Sequence, residues 1–167
     1  MFRPMDRFTR RIYRGPGEIV RDLRALLSQR ERLRAAMRGG VEPAFRERLM
    51  LVVTAVNGCR YCSYAHARQA LSEGISEEEI ATLAERGFEG SPAEEVPALL
   101  YAQHWAETDG APDSAARAAV EERYGEEALR SIEVILRMIR MGNLMGNTFD
   151  YALHRISFGR LGGAGAR

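Results

Sequence analysis

The sequence predicts an all-α fold, and three observations carry that expectation. Apolar residues recur at helical spacing along most of the chain, strand-like alternation is scarce, and Gly, Pro and Ser fall where helices start and stop. The 167 residues are 46% hydrophobic and 28% charged, ordinary for a globular domain. A chain of ~150 residues buries roughly 70% of its unfolded surface. One domain is expected, needing neither disulfide nor metal to hold its core.

The elements follow in order. "GEIVRDLRALLSQRERLRAAMRGG" brings Ile19, Val20, Leu23, Leu27 and Leu33 near helical spacing and stops at Gly39-Gly40. "VEPAFRERLMLVVTAVNG" has Pro43 suited to a first turn, an apolar stripe of Phe45, Leu49, Val52, Val53 and Val56, and a stop at Asn57-Gly58. The next helix runs to Gly74, so Cys59 is expected near its N-terminus. "SEEEIATLAERG" opens with Ser76 and Glu79 in capping-box spacing. "SPAEEVPALLYAQHWAETDG" is a helix in which Pro97 marks a start or a kink. "PDSAARAAVEERYG" and the long "EEALRSIEVILRMIRMGNLMGNTFDYALHRI" complete the set. No internal repeat or linker divides the chain. The expected organisation is a basic amphipathic arm over 1–16, a helical domain over 17–158 and a flexible glycine-rich tail over 159–167. In the arm, Phe2, Met5, Phe8 and Ile12 recur at helical spacing among arginines. The pattern is compatible with a membrane surface or nucleic acid, and the preferred reading is an arm packed on its own domain or on a neighbouring subunit.

Composition narrows the chemistry. All 24 basic residues are arginine and the formal net charge is +1. Without lysine there is no Schiff base and no Walker-type phosphate site. Arginine stays protonated, so a general base must come from the three histidines, the acids or a thiolate. Near-neutral charge argues against nucleic acid as an overall partner. No apolar run approaches the ~20 residues needed to cross a bilayer, and the N-terminus lacks the apolar stretch of a secretory signal. A cytoplasmic protein that does not enter membranes is expected. In that compartment a close cysteine pair is more often redox-active or metal-binding than structural.

The two cysteines lie together in "VNGCRYCSYAH", residues 56–66. On a helix, Cys59 and Cys62 are three apart and Cys62 and His66 four apart, so neighbouring members share a face. The helix N-terminus stabilises a thiolate at Cys59, Arg60 adds positive potential, and His66 is a base within reach of Cys62. Glu47, on the preceding helix, falls among apolar residues. If the two helices fold back at Asn57-Gly58, its carboxylate reaches His66 and orients it. A redox pair, a metal site and two packed core thiols all remain readings of these residues. Zinc wants four ligands, usually with a second pair further on, and no second pair exists. No metal or other cofactor is called for.

Glu47, eleven intervening residues, then Cys59-Arg60-Tyr61-Cys62 and His66 resembles the signature of the AhpD-like alkylhydroperoxidases of the carboxymuconolactone decarboxylase superfamily. The motif-bearing match spans residues 42–74. The resemblance implies that Cys62 attacks a hydroperoxide or other small oxidant and becomes a sulfenic acid. It implies that Cys59 resolves this to a disulfide, with His66 and Glu47 as proton relay, and that an external thiol or protein dithiol is the reductant. It also implies a trimer or hexamer. The best-known branch has a further relay histidine before its second cysteine, where this chain has Tyr61. Lactone decarboxylases of the superfamily generally lack the CxxC pair, which argues for redox chemistry and against decarboxylation. The alternatives are a carboxymuconolactone decarboxylase-like enzyme or a non-catalytic helical protein for metal or ligand binding or assembly. Tyr61 and Tyr64 are read as site lining or packing, His104 as packing or pocket lining, and His154 as lying near a subunit contact. Gly142 and Gly146 are read as small residues allowing close helix approach, with Asn143 or Asn147 near the site.

Overall fold

Helical spacing becomes eight α-helices, and no strand, among the residues that the computed structural model describes, 8–162. They are α1 (Pro16–Leu27), α2 (Arg30–Ala35), α3 (Pro43–Asn57), α4 (Arg60–Ser72), α5 (Glu77–Ala84), α6 (Val96–Glu107), α7 (Ser114–Tyr124) and α8 (Glu126–Ile156). A π-turn over Ala36–Gly40 closes α2. The readings of Phe2, Met5 and the tail beyond Gly162 lie outside the described residues. Among those described, no helix is long and apolar enough to cross a membrane.

The core is built around α3, which packs against α4, α5, α6 and α8. Neighbours surround it, so every residue from Arg46 to Thr54 is buried rather than one stripe alone. The three charged residues in that run therefore need partners. Arg48 donates from Nε to Glu79 (2.7 Å) and pairs with Glu95 (3.2 Å). Ser76 caps α5 by accepting from the Glu79 N–H, and Pro97 stands in the first turn of α6. Both agree with the sequence.

The first helix differs from the expectation in two ways. The single helix read over 17–40 breaks at Ser28-Gln29, where the Ser28 hydroxyl bonds the Ala25 carbonyl (2.9 Å) and Gln29 leaves helical geometry (φ −113°, ψ 18°). Val20, Leu23 and Leu27 are exposed, and Leu26 and Asp22 face inward instead. Spacing of three and four fits more than one face of a helix. The face is chosen here by Asp22, which accepts from Arg140 (2.6 Å) and the Tyr13 hydroxyl (2.7 Å).

Residues 8–14 of the arm form no helix. They lie across the C-terminal half of α8, with Phe8 edge-on to Tyr151 and the Tyr13 N–H on Thr148 (3.0 Å). The 31-residue α8 closes the opposite side of α3 through a ladder of buried amides. Asn143 donates to Thr54 (3.0 Å) and accepts from Asn57 (3.2 Å), and Asn147 donates to the Asn57 carbonyl (2.8 Å) and to that of Arg11 (3.1 Å). This ladder holds the C-terminus of α3 where Gly58, at φ 70°, turns the chain into α4. Only glycine takes that backbone region at little cost.

Replacing Asn147 with alanine leaves the buried Asn57 carbonyl without its donor, an expected loss of roughly 1–3 kcal/mol. Urea unfolding of Asn147→Ala, beside the exposed-site change Ser72→Ala as control, measures it. Equal midpoints for the two variants would refute the assignment.

Candidate active site

Cys59 is the N-cap of α4, in extended backbone geometry just after the Gly58 turn. Its sulfur takes the role that a serine or aspartate oxygen fills at other helix starts, accepting from the Cys62 N–H (3.4 Å). Three residues along, Cys62 turns its sulfur back to 2.8 Å from that of Cys59. Both thiols are free. Cys59 is fully buried and Cys62 is half-buried, so Cys62 is the member of the pair nearer to solvent.

The two sulfurs titrate in opposite directions. The hydrogen bond from the Cys62 thiol, aided by the N–H groups of Cys62 and Tyr61, draws the Cys59 pKa down to about 6 against the opposing effects of burial and Asp150. Cys62 is pushed up, because its proton holds that bond and because burial disfavours its charge. The Asn143 amide partly offsets both by bonding the Cys62 sulfur. The pair therefore favours negative charge on Cys59, with the Cys62 thiol as its cap.

Glu47 and His66 also meet. Glu47, only 2% exposed on α3, bonds His66 Nδ1 through Oε2 (2.8 Å), and Arg46 lies 3.5 Å from its other oxygen. A carboxylate on Nδ1 places the neutral imidazole proton there and leaves Nε2 as the acceptor. His66 follows Cys62 by one turn of the same helix. The structure therefore brings the four singled-out residues together as two pairs on α3 and α4, thiol with thiol and acid with histidine.

Two residues at the site escaped the sequence. Asp150, fully buried, accepts from Arg60 (2.7 Å), from the Tyr61 hydroxyl (2.7 Å) and from Arg10 of the arm (2.8 Å). Arg60 also donates to the Tyr61 oxygen (2.8 Å). Arg10 reaches on to the carbonyls of Gly58 (3.3 Å) and Gly162 (2.7 Å), so it ties both ends of the described chain to the motif. Gly146 presses on the motif from α8, because a Cβ there would stand 2.7 Å from the Cys59 sulfur. A signal did exist: Asn143, Asn147 and Asp150 repeat at four and three residues, a polar stripe along one face of α8.

The remaining readings divide. Gly146 makes the close approach expected of it, whereas Gly142 faces open space. Tyr61 is half-exposed, with its ring beside that of Phe149 (6.1 Å), and Tyr64 is exposed. His104 pairs with Asp113 (2.8 Å), away from the thiols, and His154 is buried beside Phe8. Among the described residues, no three His, Cys, Asp or Glu side chains are grouped to hold a metal ion.

The model of the carboxymuconolactone decarboxylase family matches residues 23–108, just over half of the chain. A protein named alkyl hydroperoxide reductase AhpD, from Corynebacterium aurimucosum, is 41% identical over 49 residues. That match covers 29% of this chain and 28% of the relative, well under half of either. No solved structure matches the chain.

The two glycines of α8 should respond oppositely to one methyl group. Gly146→Ala drives a Cβ into a pinned sulfur and should cost about 1–3 kcal/mol. Gly142→Ala meets nothing and should stabilise by about 0.5–1 kcal/mol through helix propensity. Urea unfolding of both variants decides, and a neutral Gly146→Ala would show that α8 does not press on Cys59.

Proposed function

Since the chain belongs to the carboxymuconolactone decarboxylase family, we propose that it is an AhpD-like thiol peroxidase that reduces hydroperoxides through a Cys59–Cys62 disulfide. The observation that carries this reading is the pair of sulfurs 2.8 Å apart, beside a histidine oriented by a buried carboxylate. Cysteines that close need little backbone movement to form a bond.

Each residue has a distinct task. Cys62 is the attacking sulfur, because it is the accessible one. Its proton passes to His66 Nε2, directly or through a water, and the imidazolium is held by Glu47. The Cys62 sulfur attacks the distal peroxide oxygen. The O–O bond breaks, and the leaving alkoxide takes the proton from His66 to depart as the alcohol. Cys62 is then a sulfenic acid and the peroxide has gained two electrons. The Cys59 thiolate, already deprotonated in the resting pair, attacks that sulfur. The S–O bond breaks and the hydroxide leaves as water, taking its proton from solvent. An external thiol or protein dithiol returns the disulfide to the resting pair.

Tyr61 stands where the best-known relatives carry a relay histidine. Its hydroxyl is committed to Asp150 and Arg60, so the relay here runs through His66 and Glu47 alone. The trimer or hexamer that the resemblance brings would close on α8, where Met145, Phe149 and Ile156 present exposed apolar side chains.

Stoichiometric peroxide should yield an internal Cys59–Cys62 bond by mass spectrometry, and Cys62→Ser should abolish turnover. His66→Ala should slow turnover by roughly 10²–10⁴-fold. Undiminished peroxide consumption by Cys62→Ser would overturn the proposal.

The resting thiolate gives a separate prediction in pH. Ultraviolet thiolate absorbance should appear as pH rises through about 6, well below the ordinary cysteine value of about 8.5. Cys62→Ala removes the thiol donor and should move that inflection upward. A group whose pKa is depressed by folding stabilises the fold fully above its unfolded value and loses that contribution as pH falls through its folded value. The thiol contribution to stability should therefore decline from about pH 8.5 toward pH 6. An inflection near 8.5 in the intact protein would contradict the pairing.

A further inference from the structure

A second polar region lies where α1, the turn after α6, and α8 meet. There a cavity of ≈ 220 Å³ is lined by Arg21, Asp22, Trp105, Asp109, Arg137 and Arg140 among others. It adjoins a cavity of ≈ 410 Å³ that shares Arg21, Asp109 and Arg140 and runs along the arm. Neither contains a residue of the cysteine motif.

The charges in the first cavity do not cancel. Arg140 uses both acids, bonding Asp22 from Nη1 (2.6 Å) and Asp109 from Nε (2.9 Å). Asp22 is further occupied by the Tyr13 hydroxyl. Arg21 and Arg137 face the same space and form no ion pair with any described carboxylate. The acids one turn before them on their helices are already committed. Glu18 accepts from the Arg14 N–H (3.0 Å), while Glu133 accepts from Tyr101 (2.8 Å) and Arg117 (3.2 Å). Arg137 instead lies over the indole of Trp105, 6.0 Å from its ring centroid.

We infer that this cleft binds a small organic or inorganic dianion, a phosphate or a dicarboxylate, between Arg21 and Arg137. A guanidinium presents donors in a fork that matches carboxylate and phosphate oxygens, and two such forks on one cavity suit two negative charges. A cation is disfavoured because the lining sets three arginines against two aspartates, both of them already bonded to Arg140. The volume favours a small molecule over a polymer or a large cofactor, since drug-sized ligands occupy about 300–1,000 Å³. The inference does not depend on the peroxidase reading, because no residue of the cleft takes part in it.

Trp105 is the single tryptophan of the chain and lines the cavity, so its fluorescence reports on the site. The full-length protein is titrated with inorganic phosphate in one arm and succinate in another, at ionic strength held constant with sodium chloride. A saturable change in either arm is expected, and the arm that saturates tells which anion chemistry the cleft takes. Arg21→Gln and Arg137→Gln should each weaken it by about tenfold or more, as loss of a charge-assisted bond requires. Arg21→Lys, which keeps the charge and loses the fork, should fall between Arg21→Gln and the parent. Thermal melts of the variants establish that they are folded. No saturable change in either arm, or affinities unchanged in both Gln variants, would overturn the inference.

Discussion

The close approach of α8 to the turn between α3 and α4 is the constraint on which the rest of the structure depends. Asn143 and Asn147 bind the last turn of α3 from the side, and between them Gly146 leaves no room for even a methyl group beside Cys59. That contact seals Cys59 from solvent while Cys62 remains partly open. It also brings the Asn143 amide to the Cys62 sulfur. If α8 stood further away, the first sulfur would be hydrated and the two thiols would lose their difference in exposure.

Buried charge is arranged with the same economy. Two fully or nearly fully buried carboxylates flank the thiols, and an uncompensated charge in that setting would be costly. Glu47 is spent on His66, which it bonds at Nδ1. Asp150 is neutralised by Arg10 and Arg60 together, which limits how strongly its charge opposes a thiolate at Cys59. Arg10 comes from outside the helical bundle. The arm is therefore part of the electrostatics of the motif, although it contributes no residue to the proposed chemistry. The same segment borders the arginine-lined cleft, so one stretch of chain edges both regions.

Much of the fold was legible in order of residues. Pro43, Asn57-Gly58, Ser76 and Pro97 mark starts and stops because φ restrictions and capping bonds are local, and α8 runs over the residues that its periodicity indicates. The closeness of the two cysteines was legible for the same reason, since a spacing of three at a helix start brings their sulfurs together. Glu47 was the furthest step that pattern allowed, an acid in an apolar run one turn of chain away from a plausible partner.

Tertiary structure decided what local pattern cannot carry. The face that α1 buries is chosen by an ion pair between Asp22 and Arg140, more than a hundred residues apart. The arm is held extended by bonds to α8 rather than by its own periodicity. Asp150 and Arg10 join the motif only because three segments converge there. The sequence by itself determined the all-α class, the helix that carries the thiols and the spacing that brings them together, because backbone geometry and helical spacing are short-range. Which thiol is sealed, which acid is neutralised and which arginines are left without a partner depend on distances between segments, and those exist only once the chain has packed.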